Sequence, residues 1–319
     1  NSFCTLLVTM ELEHLHLATE VAGRGFSLAE AAAMNASVVG VLEKAKLTKA
    51  LAWGKVYGQK ADYIVLLGHS GDPFGKDACM FLSADGGVSF ALLAAPSTTA
   101  SARKAESQPE DAREPVVQVT VPALFERTSQ SGALAGPFIG DPAFEYRVPD
   151  PLSGTVFVVK EAERLACFVA TQLRTGRVVP RGAFQRRDAD VPASRKGKEA
   201  TVSATGADLF TVRQNAAFDG LDAEAAGRLA SYVHLRKETK QRLSLEQEGA
   251  ASALDWLDAL NEDEPAGCWS LRYNSAAGLM VGASLELLGS HFYHQPGTTV
   301  FGSLYVGDGN VNRDLPFMM

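Results

Sequence analysis

The 319-residue chain has few cysteines and no excess of positive charge, and both shortages exclude classes of protein. Its cysteines, Cys4, Cys79, Cys167 and Cys268, lie far apart and form no CxxC pair. This spacing argues against a zinc ribbon and against a disulfide-rich secreted module. Because 30 Lys and Arg face 37 Asp and Glu, the net charge of -7 argues against overall attraction to nucleic acid or anionic lipid.

The sequence also lacks an apolar run of the roughly 18 residues that a membrane span requires. Acidic residues at Glu11, Glu13 and Glu20 interrupt its first segment, and no Lys or Arg precedes Arg24. This pattern differs from that of a secretory signal or a transit peptide. We therefore expect an intracellular protein without a membrane span.

The first 49 residues carry a helical pattern. Ser27 and Glu30 match a capping box, which predicts a helix from Leu28 to about Lys46. Before it, side chains at alternating spacings of four and three fall on one helical stripe that ends near Gly23. The stripe consists of Phe3, Leu7, Met10, His14, Leu17 and Val21. Residues 1–49 are therefore predicted to form an N-terminal helical hairpin.

From residue 50 onward the pattern is typical of strands joined by short turns. Two later helices are predicted, over Leu221 to Arg236 with Asp222 as N-cap and over Ala251 to Leu260. This arrangement predicts an α+β fold with mainly antiparallel sheets. The predicted strands cover residues 51–57, 63–67, 80–82, 88–93, 116–121, 155–160, 165–173, 178–184, 269–274, 281–287 and 300–306, with another near Phe292.

Two polar stretches interrupt this pattern, near residues 94–136 and 185–207. They contain few large apolar side chains, so we expect flexible insertions. Residues 50–319 are therefore predicted to form one α+β domain with two insertions, behind the N-terminal helical segment 1–49.

One segment has a weak resemblance to a catalytic motif. Gly68, His69, Ser70 and Gly71 follow an apolar strand, as in a nucleophile elbow, but the second glycine comes one residue early. A glycine-rich turn is the favoured interpretation. A serine hydrolase around Ser70, with His69, His291 or His294 as base, remains as an alternative.

Other charged groups offer no clear metal or cofactor site. The six histidines lack the spacing of zinc ligands, and no phosphate-binding glycine motif is present. An acidic cluster lacks the spacing of an EF-hand loop, which predicts a solvated helix face. The cluster consists of Asp255, Asp258, Glu262, Asp263 and Glu264. We assign no catalytic residue, cofactor or metal ligand.

A basic stretch is the second alternative site. Its residues could contact RNA or acidic tubulin tails, although it lacks interleaved aromatic residues for base stacking. A solvated loop is the favoured interpretation because the whole chain is acidic. The stretch comprises Arg181, Arg186, Arg187, Arg195, Lys196 and Lys198.

Several aromatic, glycine and proline motifs resemble those of the radial spoke head protein 9 family, in the same order from about residue 51 to the end. The first is Leu51 to Gly58 with Ala61 to Ile64, and the second is Gly140 to Tyr146. Further matches are Val179 to Phe184, Phe218 to Leu221, Ser231 to Arg236, Leu254 to Leu257, Trp269 and Ser270, Phe292 to His294, Tyr305 to Gly307 and Asp314 to Met319.

The resemblance implies a non-enzymatic structural subunit of the radial spoke head in the axoneme of motile cilia and flagella. Its implied role is to support head assembly and to pass central-pair signals to the dynein arms. The implied partners are other spoke head proteins, especially those resembling head proteins 4 and 6, with no nucleic acid and no membrane. As interface residues we predict Trp53, Tyr63, Phe144, Tyr146, Phe292, Tyr293, Leu315, Pro316 and Phe317.

Overall fold

The computed structural model describes residues 10–70, 78–94, 103–104, 119–127, 136–188, 210–236 and 257–318. In chain order the strands are β1 (Met10–Glu11), β2 (Lys49–Val56), β3 (Tyr63–His69), β4 (Cys79–Ser83), β5 (Ala91–Ala94), β6 (Arg103–Lys104), β7 (Glu145–Pro149), β8 (Val156–Lys160), β9 (Val178–Pro180), β10 (Phe184–Asp188), β11 (Phe210–Gln214), β12 (Tyr232–His234), β13 (Trp269–Asn274), β14 (Leu279–Ser284), β15 (Ser290–His294) and β16 (Phe301–Gly307). The α-helices are α1 (Leu17–Ala22), α2 (Leu28–Ala45), α3 (Val121–Arg127), α4 (Glu161–Thr175), α5 (Ala223–Ala226) and α6 (Leu315–Met318), and short 3₁₀ helices cover Leu12–His14, Leu229–Ser231 and Leu260–Glu262.

A nine-stranded sheet dominates the fold and confirms the predicted α+β class. Its order is β13-β14-β15-β16-β2-β3-β4-β5, with β1 added beside β2. All pairings in this sheet are antiparallel except that of β16 with β2. This parallel pair joins a strand from the N-terminal part of the chain to the last strand. At that junction Gly54 lies opposite Tyr305, and a Cβ added to Gly54 would stand 2.0 Å from the Tyr305 carbonyl oxygen. The close approach of the two strands therefore requires glycine.

Helices cover both faces of this sheet. Along β3 the side chains alternate, so that Ile64 and Leu66 face one layer while Tyr63, Val65 and Leu67 face the other. Residues of α1 and α2 pack on the first face, and residues of α4 pack on the second. This two-sided burial explains why β3 is buried throughout and does not alternate apolar with polar side chains over Ile64 to Leu67.

The N-terminal helical hairpin is confirmed, but its first helix is shorter than predicted. The Ser27 side chain accepts from the Glu30 amide and the Glu30 carboxylate accepts from the Ser27 amide, which completes the predicted capping box. The predicted first helix is wrong over Met10 to His14, where β1 pairs with β2 and a 3₁₀ turn follows. Pairing with the sheet satisfies the backbone there, so α1 begins only at Leu17.

Two predicted elements in the middle of the chain are wrong. Residues 165–173 form part of α4 and not a strand, because Leu165, Phe168, Val169 and Leu173 recur at helical spacing on the buried side. The strand that pairs with β8 is instead β7, which sequence patterning missed. The strand predicted over residues 116–121 is also wrong at its described end, since α3 begins at Val121.

Both later helices are shorter than predicted. Asp222 is an N-cap as expected, and its carboxylate accepts from the Ala225 amide, but α5 ends after one turn. The chain then passes through a 3₁₀ turn into β12, which pairs with β9. In the second predicted helix, residues 251–256 lie outside the described part, and residues 257–259 are not helical.

Most of the two predicted insertions lies outside the described residues, so their flexibility remains a prediction. The domain boundary predicted at residue 50 also remains a prediction. Within them, Val119, Val121, Leu124 and Phe125 are buried against β7 and β8. Residues 185–188 belong to β10, which pairs with β11. Among the helices that the structure describes, none has the length and apolar character of a membrane span.

Candidate protein-interaction surface

Most of the predicted interface residues serve the chain's own core. Trp53 stacks on Tyr305 with 5.0 Å between ring centroids, while Phe292 packs beside Tyr232 at 4.7 Å. These side chains are covered by their own chain and cannot touch another protein in this fold. Five of the predicted interface residues are less than a tenth exposed, namely Trp53, Tyr63, Phe292, Tyr293 and Leu315.

The remaining predicted interface residues reach the surface or lie near it. Phe317 is 88% exposed and Phe144 is 37% exposed, while Tyr146 is half-buried. Phe144 packs edge-on against Tyr146 with 4.9 Å between ring centroids. Pro316 lies in α6, but its side chain is outside the described part. The interface prediction therefore narrows to these positions.

A fully buried carboxylate holds the first two sequence motifs together, and sequence reasoning missed it. Glu161, at the start of α4, accepts hydrogen bonds from the hydroxyls of Tyr63 and Tyr146, each at 2.5 Å. It also accepts from the backbone amides of Ile139, Gly140 and Asp141 at 2.8, 2.7 and 3.2 Å. A sequence signal for this junction is the position of Glu161 in the first turn of α4, where a carboxylate is favourable, but α4 itself was not predicted.

The hydrogen bonds at this junction decide its protonation. Burial alone raises the pKa of Glu161, but hydrogen bonds from Tyr146, Tyr63 and the two nearest backbone amides outweigh burial and hold that pKa below its usual value. Burial and the Glu161 carboxylate raise the pKa of Tyr146 to about 12 and raise the pKa of Tyr63 further. Both tyrosines therefore remain hydrogen-bond donors at neutral pH.

Backbone contacts bring the two motifs into register. The amides of Gln59 and Lys60 donate to the carbonyls of Phe138 and Ile139 at 3.0 and 2.7 Å. A Cβ on Gly140 would stand 2.3 Å from the Ala61 carbonyl oxygen, so this contact needs glycine. This packing places Phe144 and Tyr146 on a rigid edge.

Three exposed apolar side chains lie on two neighbouring segments near the C-terminus, and we call this group, Leu285, Leu288 and Phe317, the C-terminal patch. The amide of Asn312 donates to the Glu286 carbonyl at 2.6 Å, and Leu287 forms a bridge with Val311. The C-terminal segment therefore runs beside the β14 to β15 connection. Leu285 and Leu288 are 38% and 47% exposed, and Phe317 is 88% exposed.

Leu315 anchors this surface to the core. It is 4% exposed and shares a buried cluster with Cys268, Trp269 and Phe292. The helix α6 thus packs one side chain inward while Phe317, two residues later, stays exposed. This geometry fixes the exposed aromatic ring to a folded support.

An open cleft of about 180 Å³ adjoins the patch, since Glu286 and Leu287 lie in its wall between Leu285 and Leu288. We call it the acidic cleft. Its charged and aromatic lining comprises three carboxylates, one arginine, one histidine and one tryptophan, namely Asp263, Glu264, Glu286, Arg236, His234 and Trp269, and the Cys268 thiol lies beside them.

Polar contacts order the walls of the acidic cleft. Asp263 accepts from Trp269 Nε1 at 2.8 Å and from His234 Nε2 at 2.7 Å. Arg236 is paired with Asp258, which is 8% exposed. The predicted solvated helix face is therefore wrong for both aspartates. Packing of this segment against β12 and β13 buries Asp258 and brings Asp263 to the buried side chains of His234 and Trp269.

The cleft carries negative potential. Burial raises the pKa of the Cys268 thiol to about 11, and the charges of Asp263 and Glu286 add to the increase. Glu264 and Glu286 are exposed at its rim. A thiol in this position is protonated at neutral pH.

The fold does not bring His291 or His294, two of the three bases in the Ser70 alternative, close to Ser70. Ser70 follows β3, while His291 and His294 lie on β15, and β16 and β2 separate the two strands. Three strand spacings amount to about 14 Å. Both ring nitrogens of His294 have backbone partners, Leu221 and Val300. Burial, followed by the charge of Arg272, lowers the pKa of His291 to about 4.

Residues of the remaining alternatives are only partly described. Arg186 and Arg187 lie on β10 opposite Val212 and Thr211, whereas Arg195, Lys196 and Lys198 are outside the described residues. Arg181 Nε donates to the Ala230 carbonyl at 3.1 Å. Across the described ranges, no group of three or more His, Cys, Asp or Glu is arranged to hold a metal ion.

Comparison with known proteins gives a consistent set of relatives. The chain is 31% identical to the radial spoke head protein 9 homolog of Danio rerio, 29% identical to that of Xenopus tropicalis and 28% identical to that of Homo sapiens. Each match covers 97% of this chain and 100% of the relative. No protein-family model matches the chain.

Proposed function

Since this chain belongs to the radial spoke head protein 9 family, we propose that it is a non-enzymatic structural subunit of the radial spoke head. In this role it works in the axoneme of motile cilia or flagella, where it supports head assembly and passes central-pair signals to the dynein arms. The observation that carries the proposal is similarity along 97% of the chain and the whole length of its relatives.

The use of the motif residues supports a structural role. Trp53, Tyr63 and Tyr305 are buried in the shared core, and Gly140 permits the contact between two motifs. Both carboxylate oxygens of Glu161 accept hydrogen bonds from other segments of the chain and so join these segments. These residues produce a stiff support for the exposed positions.

We propose that the partners are other spoke head proteins, especially those resembling head proteins 4 and 6. Two exposed surfaces fit contact with a protein: the Phe144 and Tyr146 edge, and the C-terminal patch. Aromatic side chains on rigid supports are effective interface anchors, because little conformational entropy is lost when they are buried.

Deletion of the gene in a flagellated cell, followed by cryo-electron tomography of axonemes, tests the function. We expect spoke heads to be missing or distorted and swimming to be impaired, with both restored by the wild-type chain. Intact heads in the deletion strain would contradict the proposal.

The proposed surfaces can be tested with purified head proteins 4 and 6. Phe317→Asp and Phe144→Asp are expected to weaken binding, because each puts a charge into an apolar contact. Leu28→Asp is the control, since Leu28 is 89% exposed on α2, and α2 packs on the opposite face of the sheet from α4. Equal binding by all variants, with unchanged thermal midpoints, would remove both surfaces from the proposal.

A further inference from the structure

We infer that the acidic cleft receives an arginine side chain of a neighbouring spoke head subunit while the C-terminal patch packs against apolar residues that flank it. This inference rests on the proposed function, because it names the chemistry of the partner at one proposed surface.

Charge is the first argument. Asp263, Glu264 and Glu286 contribute three carboxylates to the cleft, of which Asp263 already accepts from His234 and Trp269. Arg236 also lines the cleft, but its guanidinium is paired with Asp258. The charges of Asp263 and Glu286 both raise the pKa of the Cys268 thiol, which lines the same cleft. The described part of the cleft therefore has an unbalanced negative charge that a cationic group would neutralise.

A buried acceptor is the second and independent argument. His234 lines the cleft and is 4% exposed, and within the described residues its Nδ1 has no hydrogen-bond partner. Its Nε2 donates to the Asp263 carboxylate, which leaves Nδ1 as the ring nitrogen without a partner. A bound group rich in N–H donors would satisfy this acceptor.

The shape of the cleft distinguishes a guanidinium group from a metal ion. A volume of about 180 Å³ is much larger than a single ion needs, and the described residues provide no group of three metal ligands. The Trp269 side chain forms part of the wall, and a planar guanidinium stacks on aromatic rings while it pairs with carboxylates. The end of the 15-residue helix α4, at Gln172 and Gly176, adds its negative pole.

The apolar side chains of the C-terminal patch, beside the cleft, favour an arginine that is part of a protein over a free cation. Glu286 in the cleft wall lies between Leu285 and Leu288 of the patch, so one partner segment can bury both surfaces. Arginine beside apolar anchors is the composition that dominates binding energy at protein interfaces.

Titration with N-acetyl-arginine methylamide tests the cleft without any assembly partner. The Trp269 indole N–H donates to Asp263, so its NMR resonance, assigned with Trp269→Phe, reports occupancy. We expect a saturable shift with the arginine compound and none with its neutral citrulline analogue. Absence of an arginine-specific shift, or an equal shift in a Glu264→Gln/Glu286→Gln variant, overturns the inference.

Binding to purified head proteins 4 and 6 tests whether assembly uses the cleft. Glu264→Lys/Glu286→Lys is expected to weaken binding by at least about tenfold. The control Glu13→Lys/Glu43→Lys makes the same charge change at exposed positions near the N-terminus and is expected to bind as wild type. Equal binding by both variants overturns the inference while leaving the proposed function standing. Failure of the wild-type chain to bind contradicts the proposed partners instead.

Discussion

Replacement of Glu161 by glutamine is expected to lower the free energy of unfolding substantially. The carboxylate is fully buried and accepts two tyrosine hydroxyls and three backbone amides. Glutamine has one acceptor oxygen, so if that oxygen replaces Oε1, an NH₂ group faces the Ile139 amide that Oε2 had accepted.

The magnitude follows from these contacts. One buried amide is left without an acceptor, at about 1–3 kcal/mol, and the surviving bonds lose the charge that strengthened them, at about 1 kcal/mol each. Tyr146 can turn its hydroxyl to accept from the new NH₂ group. Because three bonds to Oε1 survive, we expect a loss of about 4–6 kcal/mol at pH 7, measured by urea unfolding.

The effect depends on pH in a defined direction. The pKa of Glu161 is lowered in the folded protein, so its stabilisation is complete above the pKa of an unfolded glutamate, about 4.3. It is lost as pH falls through the folded value. The difference between wild type and Glu161→Gln should therefore shrink below about pH 4.3. Glu145→Gln, at an exposed position of β7, is the control. A loss below about 1 kcal/mol at pH 7, or one independent of pH, would show that the Glu161 carboxylate does not stabilise this junction as a buried hydrogen-bond acceptor.

Three further predictions concern packing and reactivity. Gly54→Ala should lower the free energy of unfolding in urea by about 3 kcal/mol, because its Cβ would strike β16. Gly40→Ala, in open space on α2, should be neutral or stabilising. Equal changes in the two variants would contradict this prediction. Leu315→Ala should lower the free energy of unfolding by about 2–4 kcal/mol, and Phe317→Ala by less than about 0.5 kcal/mol, because Leu315 is buried and Phe317 is exposed. A larger loss for Phe317→Ala than for Leu315→Ala would be evidence against the placement of α6. Cys268 should resist iodoacetamide at pH 8 until the protein is unfolded, since its thiol has a pKa of about 11; rapid labelling of the folded protein would disprove it.

Local signals predicted the elements whose chemistry is local. The capping box at Ser27 fixed the start of α2, and the alternation over Trp269 to Asn274 gave β13. The family resemblance, read from motifs spread over residues 51–319, is confirmed by the relatives. In contrast, α4 was misassigned because its apolar run contains β-branched and aromatic residues, and the helical spacing was masked by small residues such as Ala166 and Ala170.

The sites formed by distant segments could not be predicted. Glu161 meets Tyr63 across 98 positions of sequence, and Asp263 meets His234 across 29. No periodicity encodes such contacts, because they depend on how helices and sheets pack. The same reason explains why aromatic motif residues were predicted at an interface: sequence alone does not separate Phe292, which is buried, from Phe317, which is exposed.

Affinity purification of this chain from detergent-extracted axonemes, with quantitative mass spectrometry, tests membership of the spoke head most directly. We expect the other head subunits, including proteins resembling head proteins 4 and 6, to co-purify in a fixed ratio to this chain. Spoke heads that remain in the unbound fraction, complete without this chain, would contradict it.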